Sequence, residues 1–133
     1  MASEQVVREL TRLGLVALGG SLGAVARYQV GGWVLKRTGP GFPWGTLLIN
    51  VTGSFALGLL ATLALERFIL SRGWYTMLAI GFLGAYTTFS TFSYETLRLL
   101  MDGSLLRAFA NAAGSVLLGL LGGWIGIVIG RIL

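Results

Sequence analysis

Neither cysteine nor histidine occurs among the 133 residues, and charge is scarce, with Asp, Glu, Lys and Arg together making 11%. Without cysteine there is no disulfide framework and no thiolate metal site. Without histidine there is no imidazole ligand, no triad base and no proton relay near neutral pH. Ser and Thr therefore lack the partners that would activate them as nucleophiles. The five acidic residues are dispersed along the chain, so no enzyme is predicted. A soluble domain carries about 25% charged residues; here 55% of the residues are hydrophobic and the mean hydropathy is +0.81. That is a membrane protein composition. The net charge of +5 does not point to nucleic acid, because the basic residues sit at the ends of apolar segments rather than in an aromatic-laced patch.

What is present divides into one four-helix transmembrane domain over residues 1–133. Residues 1–12 are polar and mildly amphipathic, with Glu4, Arg8, Glu9 and Arg12. They lack the apolar core and small-residue cleavage site of a removable signal peptide and are expected to form a retained N-terminal turn. Spans are predicted over residues 13–35, 45–65, 75–100 and 105–130, each long enough to cross a bilayer at about 1.5 Å per residue. The first ends at Lys36, Arg37 and the Gly39-Pro-Gly-Phe-Pro43 breaker, and Pro43 just ahead of the second is a helix-start signal. Trp33, Trp44, Trp74 and Tyr75 lie at span ends, as in an interfacial aromatic belt. The third span is expected to break near residues 84–88, because Gly81, Gly84 and a Thr/Ser cluster interrupt it.

Four crossings place Arg8, Arg12, Arg67, Arg72 and Arg131 on the side of the N-terminus, and Lys36, Arg37, Arg98 and Arg107 on the other. Five against four chooses no orientation. A small chain that inserts both ways can pair with its own inverted copy, which predicts an antiparallel, dual-topology homodimer; a weakly oriented protein directed by a partner is the alternative. Gly19 and Gly23, then Ser115, Gly119 and Gly123, then Gly122, Gly126 and Gly130 are spaced for close helix packing.

Several polar residues are out of place in hydrocarbon. Arg27 lies about 12 Å along the helix from the predicted end of the first span, and a cation there borders an aqueous, anion-attracting cavity or hydrogen-bonds loop carbonyls. Asn50 shares a face of the second span with Ser54 and brings two N–H donors and one acceptor, as interhelical glue or as a ligand group. Asn111 and Ser115, four apart, form a polar stripe in line with Gly119. Most conspicuous is the run from Gly81 to Glu95, in which Thr87, Thr88, Ser90 and Thr91 surround Phe89, with Phe92 next. Rings three apart share one side of a helix. A phenyl ring is positive around its edge, so two edges beside a narrow path, with hydroxyl donors, would favour a small anion; ordinary packing is the alternative.

The string Gly84-Ala-Tyr-Thr-Thr-Phe-Ser-Thr-Phe-Ser93 followed by Glu95, with Gly45-Thr-Leu-Leu-Ile-Asn50 and Gly23-Ala-Val-Ala-Arg27, resembles the Fluc (CrcB) family of fluoride channels across all four helices. The resemblance implies an antiparallel dimer in the cell inner membrane with two fluoride paths and a broken third helix. Asn50, Phe89, Ser90, Thr91, Phe92 and Ser115 would line each path, the Phe pair drawing one ring from each subunit, with Arg27 in the vestibule. It also implies a structural Na⁺ at the dimer axis, held by backbone carbonyls of Gly84 and Thr87 from both copies. Ala85 departs from a second Gly in many relatives, and Asn111 and Gly119 stand where several carry hydroxyls.

The function expected is passive export of F⁻ that accumulates when HF enters and dissociates in a less acidic cytoplasm. A small proton-coupled multidrug exporter is one rival; it needs an embedded carboxylate, for which Glu95 is the sole candidate. A structural membrane subunit is the other.

Overall fold

The computed structural model describes Ala2–Leu133, and the described residues form helices joined by short connections, without a strand. Helix α1 (Ala2–Thr38) is 37 residues long. The polar first dozen residues are not a separate turn: Glu4 pairs with Arg8 at 3.7 Å and Glu9 with Arg12 at 3.0 Å, spacings that support a helix surface. The helix stops at Gly39, whose φ of +74° favours glycine.

Helix α2 (Trp44–Glu66) is α-helical to Ala61 and widens into a π turn over Thr62–Glu66. Helix α3 covers residues 72–86 and is wound as a π-helix over Thr76–Leu83. Helix α4 (Phe89–Met101) follows after two extended residues, and α5 (Leu105–Ile132) closes the chain. Long π segments are rare and concentrate at functional sites; neither was predicted.

Two close pairings build the core. The largest interface is α2 on α5, and the next is α1 on the π-wound part of α3. Glycine makes both possible. A Cβ on Gly126 would run into the Phe55 carbonyl and stand 2.9 Å from the Leu59 nitrogen, and a Cβ on Gly23 would run into the Phe82 carbonyl. Buried Gly122, Gly126 and Gly130 present one face of α5 to α2, as their spacing predicts.

The ends of the bundle sort the charges as the sequence indicated. At one end Arg131 holds Glu66 through two bonds of 2.8 and 3.0 Å, and Arg12 and Arg72 border one cavity. At the other, Arg107 Nη1 donates to the Gly41 carbonyl at 3.2 Å, beside the end of α1. Three helices are long and apolar enough to cross a membrane: Ser3–Thr38, Trp44–Glu66 and Leu105–Ile132. Their outward faces are apolar and uncovered, with Trp33, Trp44 and Trp74 exposed near helix ends. The predicted third crossing is made by α3 and α4 together.

Candidate functional site

The break in the third crossing is set by side chains that capture backbone donors. Thr87 (ψ 157°) and Thr88 (φ −151°, ψ 117°) are extended. Gly84–Tyr86 remain helical, so the break sits at the C-terminal edge of the predicted 84–88 window. The reason lies in α2: Asn50 Oδ1 accepts the Thr88 N–H at 2.8 Å, and Asn50 Nδ2 donates to the Thr88 carbonyl at 3.0 Å. The amide thus replaces the helical acceptor of the Thr88 N–H and adds a donor to its carbonyl. The Thr88 hydroxyl then caps α4 by accepting the Thr91 N–H at 3.2 Å. It also donates to Thr91 Oγ at 3.0 Å and lies 3.4 Å from Ser90 Oγ.

This rewiring has a cost on the carbonyl side. In an unbroken helix the Thr88 and Thr91 amides would serve the carbonyls of Gly84 and Thr87. Both amides are taken by side chains instead, so these two oxygens lose their helical partners. Gly84 is exposed, with open space where a Cβ would point.

Two open cavities of about 290 Å³ each flank the break, and Thr88 borders both. The first holds Asn50, Gly84, Thr87 and Phe89, backed by Gly53 and Ser54 of α2. Gly53 is needed there, because a Cβ would strike the Thr87 methyl. The second holds Arg27, Thr46, Thr91 and Glu95 at the junction of α1, α2 and α4. Arg27 is half-buried and forms no ion pair among the described residues. Buried Thr46 lies beside the Glu95 carboxyl, whose Oε2 is buried without a hydrogen-bond partner. Helix α1 continues through Lys36 and Arg37 to Thr38, eleven residues past Arg27 and about 16 Å along the axis.

The aromatic pair stands together on α4. The Phe89 and Phe92 rings have centroids 5.8 Å apart, tilted by 46°. Phe89 is 80% exposed and projects from the protomer, whereas Phe92 is half-buried. Ser90 is exposed beside them. Ser115 borders neither cavity; it lies against Asn111 inside the α4–α5 contact.

Three features were not foreseen. The dual role of Asn50 as acceptor and donor to one residue was not foreseen, although a lone Asn one turn inside an apolar span was its signal. Glu95 entered as the close of the family string and as a rival's proton carrier, with no role in the path, yet it shares a cavity with Arg27. Tyr86, whose hydroxyl lies 3.1 Å from Thr52 Oγ and whose ring stacks on Phe82, ties the last turn of α3 to α2.

The arrangement is that of a small multi-pass helical membrane protein whose third crossing is interrupted and braced by a neighbouring helix, with a polar break rather than a reaction centre. Residues 14–127 match the family described as CrcB-like protein, Camphor Resistance (CrcB), and the chain belongs to that family. It is 50% identical over 116 residues to a protein named fluoride-specific ion channel FluC from Acidobacterium capsulatum, covering 87% of this chain and 93% of that one. Proteins of the same name from Geobacter sulfurreducens (47% over 122 residues; 92% and 98% covered) and Thermus thermophilus (50% over 116 residues; 87% and 91%) are similarly close.

Proposed function

We propose that this chain is a fluoride-selective passive channel in the plasma membrane of a bacterium, not an enzyme, through which F⁻ leaves the cytoplasm. The observation that carries the reading is the braced break: Asn50, Thr88 and Thr91 gather amide and hydroxyl groups beside the tilted Phe89–Phe92 pair. Half-identity over most of its length to proteins named for fluoride supports it. Fluoride is small and tightly hydrated, so a path must replace water with many donors. Asn50 keeps one Nδ2 hydrogen beyond its bond to Thr88. Ser90, Thr91 and the ring edges of Phe89 and Phe92 supply others, and Arg27 raises the local concentration of anions at the mouth.

The working unit is an inverted pair of copies. Exposed Phe89 and Gly84 on one face, and the near-equal charge of the two loop sides, support that arrangement. The residues fit a structural Na⁺ at the pair's axis: carbonyl oxygens suit a hard cation, and those of Gly84 and Thr87 have lost their amide partners. Bound there, the ion would neutralise these oxygens and hold the two breaks together.

Electrode-recorded efflux from proteoliposomes tests the reading. Fluoride release well above chloride release is expected, slowed by Phe92→Ile. No F⁻ release, or equal Cl⁻ release, overturns it.

A further inference from the structure

The proposed path makes no use of the one sizeable polar side chain that is wholly buried. Asn111, on α5, is 0% exposed, and no larger side chain is so completely enclosed. A buried amide is costly unless paired, and this one is paired in a directed chain. The Ser115 hydroxyl donates to Asn111 Oδ1 at 3.5 Å, Asn111 Nδ2 donates to Thr96 Oγ at 2.9 Å, and the Thr96 hydroxyl donates to the Phe92 carbonyl at 2.8 Å. Each donor points the same way, so each bond polarises the next.

The chain ends on one half of the aromatic pair. Helix α4 packs mainly on α5, with little contact to α2. Thr96 is one turn beyond Phe92 and grips that residue's own carbonyl, so a pull on Thr96 is a pull on the turn that carries the ring. The Phe89 carbonyl is held in the same way by the Ser93 hydroxyl at 2.9 Å, but Ser93 makes no further hydrogen bond among the described residues, and the Phe89 ring is 80% exposed. The placement of the Phe92 ring against α5 therefore depends on what holds its turn.

We propose that Asn111 is a positioning residue for the Phe92 ring: acting through Thr96, it locks the Phe92 turn of α4 onto α5 and thereby sets where that ring stands. The inference rests on the channel reading for its consequence on flux, though not for its structural content. Asparagine is suited to the task because its Nδ2 spans the gap to Thr96 while its Oδ1 receives Ser115. A serine at this position would bring one hydroxyl on a shorter side chain and could not repeat both contacts.

The test compares Asn111→Leu, Thr96→Val, the double variant and Thr96→Ser in the full-length protein. Two readouts are taken: F⁻ and Cl⁻ efflux from proteoliposomes, and the ¹⁹F resonance of 4-fluorophenylalanine placed at position 92. Each single variant is expected to shift the resonance, slow F⁻ efflux about tenfold and reduce discrimination against Cl⁻. The double variant should be no worse than either single one, because both cut the same chain. Thr96→Ser, which keeps the hydroxyl, should retain both wild-type readouts. If Thr96→Val leaves the resonance and efflux unchanged, Asn111 does not act through Thr96 and the proposal is overturned; additive losses in the double variant overturn it as well. Should Asn111→Leu fail to fold, the Thr96 pair carries the test alone. If the wild-type protein passes no F⁻, the channel reading falls, and the resonance still decides the positioning role.

Discussion

Asn50 is the residue at which a path and a brace make opposite predictions. Asn50→Asp exchanges one NH₂ for oxygen. The Thr88 N–H keeps its acceptor, now held at 2.8 Å, whereas the Thr88 carbonyl loses a donor at 3.0 Å. Asn50→Ala removes both bonds. At about 1 kcal/mol net for each hydrogen bond, alanine costs the break about 2 kcal/mol and aspartate about half of that before electrostatics. If Asn50 were only a brace, alanine would be the more damaging change for both stability and transport.

An anion passing beside this side chain reverses the order for transport. A carboxylate and F⁻ about 4 Å apart repel by ~4 kcal/mol at an effective dielectric constant of 20, which is about a thousandfold in rate. The expected outcome is that Asn50→Asp elutes and melts closer to wild type than Asn50→Ala, yet conducts F⁻ at least a hundredfold more slowly than it. Thermal melting in detergent measures the first quantity, and fluoride-electrode efflux from proteoliposomes at matched protein density the second. A folded Asn50→Asp protein conducting within tenfold of wild type would refute the reasoning, since no anion could then be passing Asn50.

Gly126→Ala should lower the melting temperature, because its Cβ meets the Phe55 backbone and overpacking costs about 1–3 kcal/mol; Gly114→Ala, which enters open space, should not. Exchange of Na⁺ for N-methylglucamine should lower the melting temperature of the purified protein and reduce its dimer fraction, and identical behaviour in both buffers would remove the cation from the break. Lys36→Gln with Arg37→Gln leaves two basic residues on one side against five on the other. That chain alone should lose efflux and regain it when co-expressed with a copy biased the opposite way by Arg8→Gln, Arg67→Gln and Arg72→Gln; full efflux from the first chain alone would exclude inverted pairing.

The helices were legible because hydropathy and breakers are local properties. The Gly39–Pro43 stretch, Asp102-Gly103 and the glycine ladder of α5 mark ends and faces without reference to the rest of the molecule. The length of α1 was underestimated because polarity was taken as a helix boundary, whereas the Glu4–Arg8 and Glu9–Arg12 pairs let a polar segment stay helical outside the apolar span. At the candidate site the sequence supplied residue types and the helix faces they share, including Asn50 with Ser54 and Asn111 with Ser115. It could not supply partners on other helices. The Thr88 amide being taken by a residue 38 positions earlier, and Thr96 by one 15 positions later, are long-range choices. The π winding of Thr76–Leu83 was likewise hidden, since its residues are those of any apolar helix.

Those two long-range choices share a logic. A helix broken inside a bilayer must find substitutes for lost backbone bonds, and water is not there to provide them. Asn50 reaches from α2 to the second residue past α3, and Asn111 reaches from α5 to the middle of α4. Each amide holds one side of the interruption from a different neighbour. Thr88 is thus held at the break and α4 is held further along, while Thr88 and Phe89 border an open cavity. Hydrogen bonding that would ordinarily close a helix is taken over by the Asn50 amide and the Thr88 hydroxyl, and the groups released at the centre are the carbonyls of Gly84 and Thr87. A polar centre of this kind needs rigid flanks to keep its donors and its aromatic edges in register, and the two asparagines supply them from outside the broken helix.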